Sequence, residues 1–311
     1  MGYNNHMKLL LVDGSAVLHR AYHAYPPLTT RDGTIVGAVY GAASILINAL
    51  NEVQPTHVVV AWDLPKPTFR HIKYVGYKAQ RPKADEEMVK QIPMVKQVIA
   101  KMGLVQSEVE GYEADDIIGT LSTRPAEEVV ILTGDQDTMQ LVNHRVKVLT
   151  PPKGKEPGKM YGEQEVVAKY GVRPDQIVDY KALVGDPSDN IPGVAGIGPV
   201  TAAKLLNEYG TLEEIYKNLD NSEFRIQNSE TLKIKLIANR ESAFLSQELA
   251  RIVTNIEMGL KDEEMEYNGL VREELKTELE NLGFKSLLRR IWGDSEKEKI
   301  TKKNDNQMGL F

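Results

Sequence analysis

The hydrophobic positions of the first 150 residues fall into short runs that alternate with helical patterns. Runs rich in Val, Ile and Leu, which are typical of buried strands, cover residues 8–12, 57–61, 129–133 and 146–149. Apolar residues recur every three or four positions over residues 86–102 and 115–122, which predicts helices there. Strands that alternate with helices predict an α/β fold with a central, mostly parallel sheet and flanking helices.

The pattern changes to helices after about residue 190. Helical spacing covers residues 200–208, 212–219, 230–239, 241–252 and 273–282. Residues 294–306 contain eight charged side chains in thirteen, so we expect a disordered tail there. The chain is therefore predicted to contain an α/β domain at 7–184, a helical subdomain at 185–292 and a tail at 293–311.

Residues 33–51 are uncharged, and their length approaches the ~20 residues that cross a bilayer. They include Gly, Ser and Asn, and their apolar residues recur at helical spacing, so we predict a buried core helix and no membrane partner. The chain starts without the charged and apolar regions of a secretory signal.

Composition narrows the possible chemistry. The chain has no cysteine, which excludes thiol catalysis and cysteine-ligated metals and favours a reducing compartment such as the cytoplasm. It carries 38 Lys and Arg against 44 Asp and Glu, a net charge of −6. Such acidity at first argues against nucleic-acid binding, because nucleic-acid-binding domains are usually basic.

Three predicted strands end in acidic residues: Asp13, Asp63, and the pair Asp135 and Asp137. Because the carboxyl ends of parallel strands open onto one crevice, we expect these side chains to converge. Two more acidic clusters follow along the chain. Glu113, Asp115 and Asp116 lie at the start of a predicted helix, and Asp186 and Asp189 lie in a predicted turn.

Each of these acids alone has an ordinary structural interpretation as a turn former or a helix cap. Nine carboxylates on one rim, however, repel one another strongly unless cations neutralise them. Oxygen ligands suit Mg²⁺ or Mn²⁺, and two such ions about 4 Å apart can activate a water and stabilise a leaving oxygen.

Two further segments are candidates for nucleic-acid contacts. Residues 66–81 interleave basic and aromatic side chains, which suits a single strand but also fits a solvated basic loop. Residues 192–206 place Gly193, Gly196 and Gly198 before a helix, where backbone N–H groups can approach a phosphate or simply form a tight turn. Pro93 should kink or split the helix predicted at 86–102.

The sequence resembles the 5′-nuclease domain at the N-terminus of bacterial DNA polymerase I and, more broadly, the flap endonuclease family. The resemblance runs from about residue 8 to 292 through motifs that include LLVDGS, VVAWDLPKPTFRH, YKAQRP, GYEADDIIGTL, ILTGDQDTMQLV and YKALVGDPSDNIPGVAGIGPVTAAKLL. It implies a PIN-like 5′-nuclease fold with a helical arch at about 66–102 and a helix-hairpin-helix in the helical subdomain.

The resemblance also implies that all nine acids are metal ligands, with Asp13 and Asp135 central to catalysis. The first ion would be held chiefly by Asp13, Asp63, Glu113 and Asp115. The second would be held by Asp116, Asp135, Asp137, Asp186 and Asp189. The ions would be Mg²⁺, with Mn²⁺ able to substitute.

The DNA contacts are likewise implied by the resemblance. Lys78 and Arg81 would clamp the scissile phosphate, Tyr77 would stack on a base, and Arg70 would bind DNA. The helix-hairpin-helix would grip duplex backbone through its three glycines and Lys204, and K⁺ would bind there.

The activity so implied is structure-specific 5′ cleavage of flapped or nicked DNA, with 5′→3′ exonuclease action, in Okazaki-fragment processing and repair. A nuclease-dead junction scaffold and a PIN-like ribonuclease are the alternatives. We expect a monomer, either a stand-alone nuclease or a domain excised from a longer chain. The final pentapeptide resembles a sliding-clamp binding motif, with its contacts at Gln307, Met308, Leu310 and Phe311.

Overall fold

The computed structural model describes residues 7–152, 154, 156–220 and 229–293. Its centre is a six-stranded sheet with the order β3-β2-β1-β4-β5-β6. The strands are β1 (Lys8–Asp13), β2 (His57–Ala61), β3 (Val105–Ser107), β4 (Glu128–Leu132), β5 (Val146–Thr150) and β6 (Lys159–Tyr161). Neighbours from β3 to β5 are parallel, and β6 runs antiparallel to β5 at one edge. The predicted α/β fold with a mostly parallel sheet is confirmed.

Helices cover both faces of the sheet and continue into the C-terminal part. Those before residue 190 are α1 (Gly14–Ala24), α2 (Gly37–Val53), α3 (Phe69–Lys73), α4 (Glu86–Lys101), α5 (Ala114–Ser122), α6 (Glu163–Tyr170) and α7 (Ile177–Val184). Those after it are α8 (Pro199–Tyr209), α9 (Leu212–Asp220), α10 (Ser229–Ala238), α11 (Arg240–Ala250), α12 (Glu273–Asn281) and α13 (Lys285–Trp292). Short 3-10 turns lie at Asp137–Leu141, Pro174–Gln176 and Asp262–Met265.

The alternation of side chains along β1 divides the core in two. Leu9 and Leu11 pack with α5, α7 and α8 on one face, whereas Leu10 and Val12 pack with α1, α2 and α4 on the other. All four residues are fully buried because helices cover both faces. A strand that is buried on both faces appears in the sequence as an uninterrupted run of apolar residues. For this reason the sequence predicts β1, β2, β4 and β5 well.

The helix α2 is a core element, as predicted from its Gly, Ser and Asn content. It buries thirteen of its seventeen residues, most of them against α1, α4 and the sheet. Within the part of the chain that the structure describes, no helix is both long and apolar enough to cross a bilayer.

Pro93 does not split its helix, which was one of the two predicted effects. Helix α4 continues from Glu86 to Lys101 through Pro93. Its buried side chains Met88, Val95, Val98 and Ile99 pack into the core beneath α2. This apolar face offsets the hydrogen bond that the proline cannot make, so α4 belongs to the wall of the α/β domain.

The last two described helices return to the α/β domain. Leu275, Leu279, Phe284 and Leu287 of α12 and α13 are buried in the same core as α2 and α4. Residues 273–292 therefore pack against the α/β domain, although the sequence placed them in the helical subdomain at 185–292.

Candidate metal centre and nucleic-acid interface

Asp13 lies where β1 ends and α1 begins. Its Oδ1 accepts a hydrogen bond from the Ala16 N–H at 2.9 Å, which caps α1, and its Oδ2 accepts one from the Thr133 hydroxyl at 2.8 Å. Gly14 follows because a Cβ at that position would lie 2.8 Å from the Trp62 ring. β1 and β4 are adjacent strands at which the strand order changes direction, the usual ligand position in such sheets.

Two more strand-end carboxylates lie close to Asp13. Asp63, beyond β2, accepts a hydrogen bond from the Ala114 N–H at 2.9 Å, and Asp135, beyond β4, accepts one from the Asp137 N–H at 2.9 Å. Burial, together with the charges of Asp63 and Asp135, raises the pKa of Asp13 to about 7. A cation bound among these three carboxylates would stabilise the charged form of Asp13.

The start of α5 carries the next carboxylates. Glu113 caps the helix, and Asp115 lies in its first turn. Asp115 Oδ1 is buried and has no hydrogen-bond partner. Burial and the adjacent charge of Asp116 raise the pKa of Asp115 well above its ordinary value. Because an unpartnered buried carboxylate oxygen is costly, it indicates a place where a bound ion is needed.

Asp116 is arranged differently from Asp115. It is fully buried, and its carboxylate forms a bidentate ion pair with Arg70, with both N–O distances at 2.7 Å. Arg70 is only 1% exposed, so the structure contradicts the prediction that it contacts DNA. Burial opposes the charge of Arg70, but its hydrogen bonds to Asp116 raise its pKa.

Lys181 separates two of the acids predicted to bind the second ion. Its ammonium group contacts Asp137 and lies 2.7 Å from Asp186 Oδ2. Burial and the charge of Asp135 raise the pKa of Asp137 to about 7 despite this lysine. Burial disfavours the charged form of Asp186, but Lys181 and Ser188 outweigh that effect and lower its pKa.

Lys78 and Arg81 approach the remaining acids. Lys78 Nζ lies 2.8 Å from Glu113 Oε1 and 3.8 Å from Asp189 Oδ2, and Arg81 forms an ion pair with Asp189. The Lys78 backbone N–H also donates to the Asp189 carbonyl at 2.9 Å, in the left-handed conformation with φ of 54°. Both side chains are thus held over the carboxylates.

Tyr77 does not occupy the predicted stacking position. It is 4% exposed, and its hydroxyl donates toward Glu113 Oε2 at 3.0 Å and Asp189 Oδ2 at 3.2 Å. Its ring forms a T-shaped contact with His71. Because these contacts draw the ring inward, no face of Tyr77 is open to a base in this conformation.

The nine acids, which we call the carboxylate rim, thus divide into two sets. Those facing a lysine or arginine are Glu113, Asp116, Asp137, Asp186 and Asp189. Those for which the described residues provide no such ion pair are Asp13, Asp63, Asp115 and Asp135. No three Asp, Glu or His side chains among the described residues are arranged to hold one ion. The donors nevertheless fit a hard divalent ion, because all are carboxylates and Asp115 Oδ1 is unpartnered.

The glycines of the hairpin at 192–198 have different roles. Gly193 is buried with φ of 65°, and a Cβ there would lie 2.3 Å from the Gly185 nitrogen. The structure therefore contradicts its predicted DNA contact, because its backbone packs against the end of α7. Gly196, Gly198 and Lys204 are exposed and remain accessible to a ligand.

Sequence reasoning missed two side chains that shape this site. Thr133, the hydroxyl partner of Asp13, is buried directly after β4. Lys181 is the single basic residue of the otherwise largely apolar helix α7, a signal that could have singled it out. The pentapeptide at 307–311, with Gln307, Met308, Leu310 and Phe311, lies outside the described residues.

Comparison with known proteins finds relatives over most of this chain. Residues 8–171 match the family model of the 5′-3′ exonuclease N-terminal resolvase-like domain, and residues 172–273 match that of the 5′-3′ exonuclease C-terminal SAM fold. The chain is 39% identical to DNA polymerase I of Bacillus subtilis over 291 residues, which cover 93% of this chain and 32% of that protein. It is 43% identical to the thermostable DNA polymerase I of Thermus thermophilus over 284 residues, 90% of this chain and 33% of that protein.

Two groups of solved structures share the fold. The T5 5′-exonuclease with zinc ions bound superposes with a TM-score of 0.64 at 22% identity, covering 78% of this chain and 89% of that one. The catalytic core of Rad2 in complex with DNA substrate superposes with a TM-score of 0.56 at 15% identity, covering 92% and 88%. The chain spans about a third of the length of the curated polymerases it matches. With both family models matched across residues 8–273, the chain belongs to the 5′-3′ exonuclease family.

Proposed function

We propose that this chain is a divalent-metal-dependent 5′ nuclease that hydrolyses DNA phosphodiesters at junctions of single and double strand. It acts as a flap endonuclease and as a 5′→3′ exonuclease, in Okazaki-fragment processing and DNA repair. The observation that carries the proposal is the carboxylate rim with Lys78 and Arg81 placed over it. The metal ions and DNA named for the similar T5 and Rad2 structures support it.

The unpaired acids Asp13, Asp63, Asp115 and Asp135 would hold a first Mg²⁺ once they move closer together, because no three of the described acids are arranged to hold an ion as they stand. A second Mg²⁺ would be held by the acids that now face Lys78, Arg81 and Lys181. These basic side chains must therefore give up some of their ion pairs when that ion binds. When bound, such ions supply an activated water and neutralise charge on the phosphate. Lys78 and Arg81, released from Glu113 and Asp189, are placed to donate to the phosphate oxygens as their charge builds.

Duplex DNA would be held at the helical subdomain. Gly196 and Gly198 are exposed immediately before α8, where backbone N–H groups and the helix dipole favour a phosphate. Lys204 lies exposed on the same helix. We extend the proposal to K⁺, which backbone carbonyls of this hairpin would hold.

A 5′-labelled flap substrate, with Mg²⁺ titrated from zero after chelation, tests the proposal. We expect no cleavage without metal and cleavage near the junction with it. Asp135→Asn and Asp186→Asn should slow cleavage at least a hundredfold while leaving DNA binding intact or stronger, whereas the exposed Asp175→Asn should match wild type. Metal-independent binding without cleavage would favour the junction scaffold, and faster cleavage of matched RNA would favour the ribonuclease.

We also propose that the chain is a monomer whose final pentapeptide binds the bacterial sliding clamp through Gln307, Met308, Leu310 and Phe311. Deletion of residues 307–311 should remove binding to immobilised clamp and leave flap cleavage unchanged. Equal clamp affinity of the truncated and full chains would overturn this assignment. Light scattering on the full chain tests the monomer.

A further inference from the structure

Arg70 is a buried arginine whose five N–H groups all have acceptors. Nε donates to the Leu249 carbonyl at 3.0 Å. Nη1 donates to Asp116 Oδ2 at 2.7 Å and toward Glu113 Oε2 at 3.3 Å. Nη2 donates to Asp116 Oδ1 at 2.7 Å and to the Arg251 carbonyl at 2.8 Å. A guanidinium presents five donors, so none is left for a DNA phosphate.

The Asp116 carboxylate is equally occupied. Besides the two bonds from Arg70, its Oδ2 accepts the Glu113 N–H at 3.1 Å and its Oδ1 accepts the Val253 N–H at 2.8 Å. Each oxygen thus accepts two hydrogen bonds, which fills the acceptor capacity of a carboxylate. A metal ion could bind Asp116 directly only after some of these buried bonds had broken.

These contacts join three separate parts of the chain. Arg70 belongs to α3, Asp116 to α5, and Leu249, Arg251 and Val253 to the end of α11 and the segment after it. The packing there is close, because a Cβ on Gly119 of α5 would lie 2.5 Å from Ile252 Cγ2. The start of α5 is therefore fixed against both α3 and the end of α11.

The neighbouring acid Asp115 presents the opposite case. Asp116 has every acceptor position filled by protein, whereas Asp115 Oδ1 is buried without a partner. Two successive residues at one helix start therefore provide one satisfied carboxylate and one open carboxylate. The satisfied one fixes the helix, and the open one has an oxygen left for a ligand.

We propose that Arg70 and Asp116 form a positioning pair, and that Asp116 does not itself bind a metal ion. The pair holds the start of α5 against the end of α11, and thereby places Glu113 and Asp115 at the carboxylate rim. This inference rests on the proposed function only in taking the rim to bind divalent ions.

The test counts Mn²⁺ ions bound to the full chain, without DNA, from the electron paramagnetic resonance signal of free Mn²⁺. Asp115→Asn and Asp116→Asn are matched isosteric variants of adjacent residues. We expect Asp116→Asn to bind as many ions as wild type, with an affinity lowered only to the extent seen in Arg70→Lys because both variants disturb the same pair, and Asp115→Asn to weaken one ion at least tenfold. Loss of an ion in Asp116→Asn would overturn the proposal.

A second arm tests the positioning role of Arg70. Arg70→Lys keeps the charge beside Asp116 but cannot reach both the Leu249 and the Arg251 carbonyls. We expect backbone amides 251–254 to exchange with deuterium at least tenfold faster and Mn²⁺ affinity to fall at least threefold, although the substituted side chain would touch no ion. Unchanged exchange, or faster exchange with unchanged Mn²⁺ affinity, would contradict it.

The two arms separate this inference from the proposed function. Neither measures cleavage, so a chain that fails to cut flaps can still carry the positioning pair. If the wild-type chain binds no Mn²⁺, the proposed metal dependence fails, and the contact between Arg70 and α11 is then judged by amide exchange alone.

Discussion

The Thr133 hydroxyl donates to the Asp13 carboxylate at 2.8 Å and thereby joins the ends of the two central strands, β1 and β4. This bond lowers the pKa of Asp13, but burial and the charges of Asp63 and Asp135 outweigh it and raise that pKa to about 7. The charged form of the Asp13 carboxylate is therefore unfavourable at neutral pH unless a bound cation neutralises it.

The stability of the metal-free protein should fall as pH rises from 5 to 8. Asp13 and Asp137 both have pKa values raised from 3.8 to about 7 in the folded state. The folded chain thus holds their protons more tightly than the unfolded chain. The resulting contribution to the free energy of unfolding is fully present below about pH 4 and is lost as pH rises through 7. For Asp13 alone it amounts to roughly 4 kcal/mol.

Thermal unfolding in a chelating buffer measures this effect. Tm should decrease from pH 6 to pH 8, Mg²⁺ should raise Tm more at pH 8 than at pH 6, and Asp13→Asn should flatten the pH dependence. A Tm that rises with pH in wild type and in Asp13→Asn alike would contradict the assigned pKa.

Lys78→Ala should impair the chemical step more than DNA binding. The Lys78 ammonium lies between Glu113 and Asp189, where a phosphate would replace one carboxylate as its partner. Removing one such donor typically lowers kcat by about 10²–10³-fold. Single-turnover cleavage and flap-DNA affinity should be measured on the same variant, with the exposed Lys83→Ala as the control. Weaker binding with an unchanged cleavage rate would assign Lys78 to substrate binding instead.

Gly193→Ala should destabilise the fold, whereas Gly198→Ala should not. A Cβ on Gly193 would overlap the backbone of Gly185 and Val184, and its φ of 65° disfavours alanine. We expect a loss of roughly 1–3 kcal/mol in the free energy of unfolding. A Cβ on Gly198 meets nothing within 4 Å, so that variant reports on approach of a phosphate to the exposed hairpin. Urea unfolding and duplex affinity of both variants check the distinction.

DNA binding should weaken steeply with salt although the chain carries a net charge of −6. Without the nine rim acids, 35 acidic residues would face 38 basic ones, so the acidity is concentrated at the metal site. Phosphate contacts elsewhere release counterions, and Lys204→Ala should reduce the slope of log K against log salt by about one. Affinity that is independent of salt would restore the objection that an acidic chain does not bind DNA.

The sequence located most of what depends on local pattern. Both-face burial makes the strands at 8–13 and 128–132 continuous apolar runs, and their acidic ends mark one rim because parallel strands end on the same side. The edge strands β3 and β6 are only three residues long, carry no such run and were missed.

Local sequence pattern does not predict the roles of the individual acids. Asp115 and Asp116 are adjacent, identical in type and equally placed at a helix start, so no local pattern distinguishes them. The difference arises because Arg70 and the end of α11, distant in sequence, fill every acceptor of Asp116 and leave Asp115 Oδ1 open.

By itself, then, the sequence determined the four longer strands of the sheet, the acidic rim and the family, since these follow from periodicity and motif spacing. Only the tertiary structure decided which charges lie inside. It buried Arg70, turned Tyr77 inward, packed Gly193 against Gly185 and placed Lys181 between two acids. The physical reason is that burial and charge pairing depend on which distant segments pack together. Local sequence patterns do not show which segments these are.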